Sequence, residues 1–295
     1  MTITSNEVAP PETSRRPRDD ELDVYGLTHP GKLRPINQDH FLVGSLRGRL
    51  NVQMSSLPVD HQLPLEEERV AAFMMVADGV GGGRKGEEAS RIALEEAAQY
   101  IAEGARCYFR ADGREGDFIQ ALEEACVRVH EAVRNRGAED PETAGMATTL
   151  TLFIGVWPWS YVVQVGDSRY YTYANGVLTQ ISRDQTMAQA LVDQGIMSKS
   201  HSLQSPLSNV LVSSIGGPQS APIVTRVRNS WENIHLLCSD GLTKHVSDER
   251  IAERLGAMES ARQVCEGLLQ DALDGGGTDN ITIIVGRAVA QVDSH

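Results

Sequence analysis

The stretch FMMVADGVGGG, Phe73 to Gly83, starts as an apolar run, ends that run in Asp78, and then places four glycines in five residues. An apolar run of this length, bounded by glycine, predicts a buried strand. A carboxylate at the mouth of a hydrophobic core is costly unless something compensates its charge. Asp78 therefore raises a question about function together with the one about fold.

Outward from this strand, helix and strand patterns alternate in blocks. Downstream, GEEASRIALEEAAQYIAEG from Gly86 and DFIQALEEACVRVHEAVRNRG from Asp117 place apolar residues at helical spacing, with Gly104 and Gly137 suited to their C-terminal ends. After Pro141 the pattern turns to short β-branched and aromatic runs: MATTLTLFIGV, SYVVQVGD, RYYTYAN and VLTQIS. Asn175-Gly176 between the last two is a hairpin signal. Residues 182–220 are mixed, with one short helix near Gln185–Gln194. APIVTRV and NIHLLCSD read as strands, two helices follow at about 248–255 and 259–272, and NITIIVGRAV closes the pattern as a strand. Upstream, DVYGLTHPGKLRPINQDHFLVGSL predicts two strands with a turn-rich connection, and the Pro-broken segment up to the strand at Val70, residues 46–69, reads as a long surface loop. Strand runs with helices grouped in two places imply an α+β layered domain, helices covering a pair of sheets. Residues 1–20 are expected to be a disordered tail and 21–290 a single domain.

The net charge of −13 disfavours nucleic acid and anionic membranes as partners. No apolar stretch reaches the ~20 residues of a membrane span. The first twenty residues lack the apolar centre of an export signal, so a cytoplasmic location is expected. Cys107, Cys126, Cys238 and Cys265 are widely spaced and read as core residues.

Asp78 is not alone. Asp240 ends NIHLLCSDG in the same way, and Asp39 and Asp279 each stand just before an apolar run. A single Asp-Gly pair is usually a turn. Four aspartates on strand ends of one sheet pair can converge, and converging carboxylates need a cation or protons. An all-oxygen ligand set suits Mg²⁺ or Mn²⁺. Two such ions ~3.5–4 Å apart are the usual arrangement for in-line displacement at phosphorus. Arg34, five residues before Asp39, is placed to hold a phosphate in bidentate fashion.

These residues lie in segments that resemble the metal-dependent protein phosphatases, the PPM or type 2C serine/threonine phosphatases, in their bacterial form. The matching segments are GKLRPINQDHF, VADGVGGG, GEEAS, GMATTLT, VQVGDSRYY, LLCSDGLT and TDNITIIV, in the family's order and over nearly the whole chain. The resemblance implies an α-β-β-α fold, a central sandwich of two antiparallel sheets flanked by helices. It implies two Mn²⁺ or Mg²⁺ ions held by Asp39, Asp78, Asp240 and Asp279. Asp78 would bridge them, Gly79 would lend its carbonyl, Arg34 would clamp the substrate phosphate, and water would attack phosphorus directly. Many bacterial members bind a third, weaker metal through an aspartate where Glu142 stands here, and a glutamate can still ligate. Val80 replaces the histidine of animal relatives, so no general acid is named. Asp167 in GDSR is read as structural, holding a turn through Arg169 or backbone amides. Residues 182–220 fall where the family carries a substrate-selecting flap. Expected partners are phosphoprotein substrates of Ser/Thr kinases, and the chain is expected to be a monomer. A non-catalytic phosphoprotein-binding relative is the alternative; a two-metal nuclease is disfavoured by the charge.

Overall fold

A computed structural model describes residues 15–47, 49–55, 69–82, 84–108, 115–202 and 205–290. The strands are β1 (Leu22–His29), β2 (Asp39–Arg47), β3 (Arg49–Ser55), β4 (Ala71–Val80), β5 (Ala147–Thr148), β6 (Leu150–Val156), β7 (Trp159–Val165), β8 (Arg169–Ala174), β9 (Val177–Gln180), β10 (Ile223–Arg228), β11 (Ile234–Cys238) and β12 (Ile281–Ala288). Among the described residues they make a five-stranded sheet, β1-β12-β11-β8-β9, and a seven-stranded sheet, β10-β7-β6-β4-β2-β3 with β5 paired to the end of β4. The helices are α1 (Arg84–Tyr108), α2 (Glu115–Glu139), α3 (Met187–Asp193), α4 (Lys199–Ser202), α5 (Asp240–Thr243), α6 (Asp248–Gly256) and α7 (Ala261–Asp274).

The unbroken apolar run in β4 follows from burial on both faces. Phe73, Met75 and Ala77 pack with Ala93, Ala97, Leu122 and Val129 of α1 and α2. Met74 and Val76, on the opposite face by the two-residue period of a strand, pack with Tyr170, Leu237 and Ile284 of the other sheet. β12 repeats the scheme: Ile281, Ile283 and Val285 face Val264, Cys265 and Leu268 of α7, and Ile284 faces the seven-stranded sheet. Each large apolar side chain so buried stabilises the fold by about 1.5–3 kcal/mol. The result is the expected order of layers, helices on sheet on sheet on helices. No helix among the described residues is long and apolar enough to cross a membrane.

Several local readings change. The segment read as a loop from residue 46 begins instead with β3, which pairs β2 at the sheet's edge. Leu50, Val52 and Met54 alternate with polar residues there, the two-residue period of a strand. The remainder, 56–68, lies outside the described residues. Of the tail, residues 1–14 also lie outside them, but 15–20 are docked. Asp19–Glu21 form a 3-10 turn, Arg15 Nη1 donates to buried Glu21 at 2.7 Å, and Trp231 Nε1 donates to the Arg15 carbonyl at 2.9 Å. Arg15 is the main cause of a Glu21 pKa lowered to about 2. The helices run past Gly104 and Gly137, to Tyr108 and Glu139. Asn175 and Gly176 do form the β8–β9 hairpin, with φ of 52° and 80°. Cys126, Cys238 and Cys265 are free and buried.

In the antiparallel sheets β2 starts where β4 ends, and β11 ends where β12 starts. Asp39 and Asp78, on the inter-sheet face by parity, thus share one end of the sandwich with Asp240 and Asp279.

Candidate active site

Asp39 and Asp78 are direct register partners across β2 and β4, which puts their Cα atoms about 5 Å apart with both side chains on one face. Two backbone clamps fix Asp78. Its N–H donates to Thr149 Oγ1 at 3.0 Å, and its carbonyl accepts from Thr149 N at 2.9 Å and Thr148 Oγ1 at 2.8 Å. Asp39 is buried, and one of its oxygens, Oδ2, accepts from Ser239 Oγ at 2.6 Å and Thr282 Oγ1 at 2.8 Å. Asp39 is thereby tied to the end of β11 and the start of β12, so one carboxylate joins both sheets.

The glycines after Asp78 have a local cause. A Cβ on Gly79 would stand 2.1 Å from the Gly86 carbonyl, so β4 and the start of α1 meet only because Gly79 has no side chain. Gly81 and Gly82 have φ of 114° and 71° and make the turn between them.

Asp240 opens α5 directly after Ser239, rather than ending β11 as its sequence suggests. Its Oδ2 receives Lys244 Nζ at 2.6 Å. Asp279 precedes β12 and takes three contacts from cations: Arg34 Nε on Oδ1 at 2.9 Å, Arg34 Nη2 on Oδ2 at 3.1 Å, and Lys244 Nζ on Oδ2 at 2.8 Å. Arg34 is half-exposed at the rim. Its loop is stitched down by Asn280, whose Oδ1 accepts from Gln38 N at 2.9 Å and whose Nδ2 donates to the carbonyls of Pro30 at 2.9 Å and Ile36 at 3.1 Å.

The electrostatics match a group of carboxylates short of compensation. Burial is the largest cause pushing Asp39 up to about 7, helped by Asp240 and Asp279 and opposed by the two hydroxyls. Asp78 lies well above the usual carboxylate range through burial, then Asp39, Asp240, Asp167 and Asp279. Burial also raises Asp240, against Lys244. Asp279 alone of the four is lowered: burial works against its charge, but Lys244 and Arg34 outweigh it.

Two of the expected residues stand differently. Glu142 is exposed, and its carboxylate faces Arg84 at 3.9 Å rather than the aspartates. Asp167 is not held through Arg169, whose guanidinium takes Asp184 at 2.9 and 2.7 Å; of its two expected partners Asp167 keeps the backbone one, a hydrogen bond at its own amide. Asp167 is a fifth carboxylate of the group and, like Asp39, is buried; burial and Asp240 raise it well above its usual range. Lys244, Ser239, Thr282 and Asn280 also hold the site together, with no role legible in the sequence, although three of these lie inside the quoted motifs.

Among the described residues, no three or more His, Cys, Asp or Glu side chains are already arranged to hold a metal ion. Arg34 and Lys244 occupy Asp279, and Lys244 occupies Asp240. The donor set nevertheless fits hard divalent cations. Asp39 Oδ1 and Asp240 Oδ1 are buried oxygens without a hydrogen-bond partner, and the carboxylates raise one another's proton affinity, which a dication would relieve.

Comparison with known proteins agrees with this chemistry. The family model described as Protein phosphatase 2C matches residues 60–274. The chain is 33% identical over 219 residues to the serine/threonine protein phosphatase PstP of Mycobacterium tuberculosis, covering 74% of this chain and 41% of that protein, so it spans well under half of that relative's length. It is 29% identical over 222 residues to the serine/threonine phosphatase stp of Listeria monocytogenes, covering 72% of this chain and 83% of that one. A crystal structure of the PstP catalytic domain in complex with two manganese ions superposes with a TM-score of 0.70 at 28% identity, over 91% of this chain and 99% of that one. With the sandwich, the aspartates at its end and these similarities in agreement, the chain belongs to the protein phosphatase 2C family.

Proposed function

We propose that the chain hydrolyses phosphoserine and phosphothreonine in proteins, with two manganese or magnesium ions held by Asp39, Asp78, Asp240, Asp279 and the Gly79 carbonyl. The observation that carries this reading is the pair of unpartnered, buried oxygens on Asp39 and Asp240 inside a group of carboxylates. The manganese pair in the PstP structure supports it. When bound, the ions supply an activated water for direct attack on phosphorus and offset charge in the transition state.

The protein's own residues position and select. Asp78, opposite Asp39, is suited to bridge the two ions, and its Thr148 and Thr149 clamp holds its backbone still. Ser239 and Thr282 fix Asp39 so that its other oxygen points into the site. Arg34 binds phosphate by exchanging part of its contact with Asp279 for the substrate's oxygens. Exposed Leu33, Ile36 and Val80 beside these residues give a peptide an apolar rim to rest on.

Residues 182–220 serve as the substrate flap. Their two legs are zipped by Met187 N to the Val210 carbonyl at 2.8 Å and Val212 N to the Gln185 carbonyl at 2.9 Å. Their base is tied through Ile215 to Thr148, the residue that pairs with Gly79. The half-exposed Met187 and the exposed Ile196 remain available for contact. We place the protein in the cytoplasm of a bacterium, acting as a monomer on substrates of Ser/Thr kinases. The test is phosphate release from an aryl phosphate and from phosphopeptides with Mn²⁺ and with excess chelator. Turnover that requires Mn²⁺ or Mg²⁺ is expected. Binding of phosphoprotein without turnover would replace this reading by a non-catalytic one.

A further inference from the structure

Lys244 stands between two of the carboxylates assigned to the metals. Its Nζ is 2.6 Å from Asp240 Oδ2 and 2.8 Å from Asp279 Oδ2. A divalent ion ligated by both of these oxygens at about 2.0–2.2 Å would occupy nearly the same point as the ammonium. The two cations cannot share it, because they repel and use the same lone pairs. The placement is built into the fold. Lys244 is four residues after Asp240, on the same side of the helical turn. That turn is pressed onto the start of β12, since a Cβ on Gly241 would fall 1.9 Å from the Asn280 carbonyl. The lysine side chain is 30% exposed, so the ammonium has a route to solvent.

We propose that Lys244 is a tethered counter-cation that competes with one of the two metal ions for Asp240 and Asp279. Resting on the reading of these aspartates as metal ligands, the proposal adds a control on loading. With little free metal, the ammonium neutralises the pair and limits repulsion within the carboxylate group. Rising metal displaces it toward solvent, on the side where Arg34 also reaches Asp279. One ion should therefore bind more weakly than the other, and activity should follow that weaker step.

The experiment uses the full chain stripped of metal, as wild type, Lys244→Met and Lys244→Arg. Mn²⁺ binding is titrated calorimetrically, and thermal melts are run in chelator and in Mn²⁺. Lys244→Met should tighten the weaker Mn²⁺ step at least about tenfold, the scale set by a unit charge against a dication a few ångströms away even in a water-like dielectric. It should also lower the melting temperature of the metal-free protein and enlarge the rise that Mn²⁺ produces. Lys244→Arg keeps the charge and should stay within about threefold of wild type. Unchanged or weaker Mn²⁺ binding by a folded Lys244→Met chain overturns the proposal, as does a higher metal-free melting temperature. If Lys244→Met does not fold without metal, that is the expected loss in its extreme form, and Lys244→Gln carries the titration. Absence of Mn²⁺ binding in wild type as well would overturn the metal reading itself, a result distinct from equal binding in both.

Discussion

Asp78→Asn should make the metal-free protein more stable while removing most of its phosphatase activity. The aspartates are held close together before any ion arrives, and the fold bears that cost. Asp39 shows its scale. With its pKa moved from 3.8 to about 7, and about 1.4 kcal/mol for each tenfold change in proton affinity, keeping it ionised at neutral pH costs the metal-free fold about 4 kcal/mol. Asp78 is raised in the same direction, by burial first and then by Asp39. Asparagine keeps the shape, removes the charge, and offers an amide to the unpartnered Asp39 Oδ1. Recovering about 1–2 kcal/mol should raise the metal-free melting temperature by roughly 2–8 °C. Activity should fall at least about 100-fold with the loss of a central electrostatic element.

The pH dependence follows in sign. A carboxyl that binds its proton more tightly when folded contributes stability that is full below about pH 4 and is lost as pH rises through about 7. His40 and His235, lowered by burial from 6.5 to about 4, act the other way: their contribution is present above 6.5 and is lost as pH falls through about 4. The difference in melting temperature between variant and wild type cancels the histidines, and it should grow as pH rises above about 4. Melts in chelator and aryl phosphate turnover at saturating Mn²⁺ are the assays. A variant that melts below wild type in chelator, or one with near-normal turnover, would refute the reasoning.

Arg34→Ala should raise KM more than it lowers kcat, since the proposed clamp would hold phosphate in the ground state and the transition state alike, with a combined loss of roughly 2–3 kcal/mol in kcat/KM; an unchanged KM would contradict a clamp. Asn280→Ala removes three hydrogen bonds from the Arg34 loop and should cost about 1–3 kcal/mol of stability, read as a lower melting temperature, with a KM that rises toward that of Arg34→Ala. Shortening the flap tip, residues 196–206, should leave aryl phosphate hydrolysis within about threefold, a change under 1 kcal/mol. The same variant should lose far more on phosphopeptides; equal losses in a well-folded variant would mean that the segment supports the metal site instead.

What the sequence disclosed and what it hid divide along one physical line. Residues whose neighbours are set by period could be read. Phe73–Ala77 announced a strand buried on both faces, and Asp39, Asp78, Asp240 and Asp279 could be recognised because each interrupts or precedes such a strand. Features that depend on one side chain choosing among distant partners could not. Arg169 sits two residues from Asp167, yet it pairs with Asp184, fifteen residues on. β3 alternates apolar and polar residues over a short run, and that signal is outweighed by the serines and prolines that follow it. Glu142 holds the motif position expected of a ligand, but its carboxylate faces Arg84. Lys244 is the most instructive of these. Its four-residue spacing from Asp240 has meaning only if residues 240–243 form a helical turn, and an apolar run ending in Ser-Asp-Gly signals a strand and a turn instead. Once that helical turn exists, the lysine must lie beside Asp240, and the docking of α5 on β12 brings Asp279 to its other side. On the proposed metal reading, the strength of binding would therefore be set by a short helix as well as by the aspartates, and substitutions that move α5 without touching a proposed ligand should alter it.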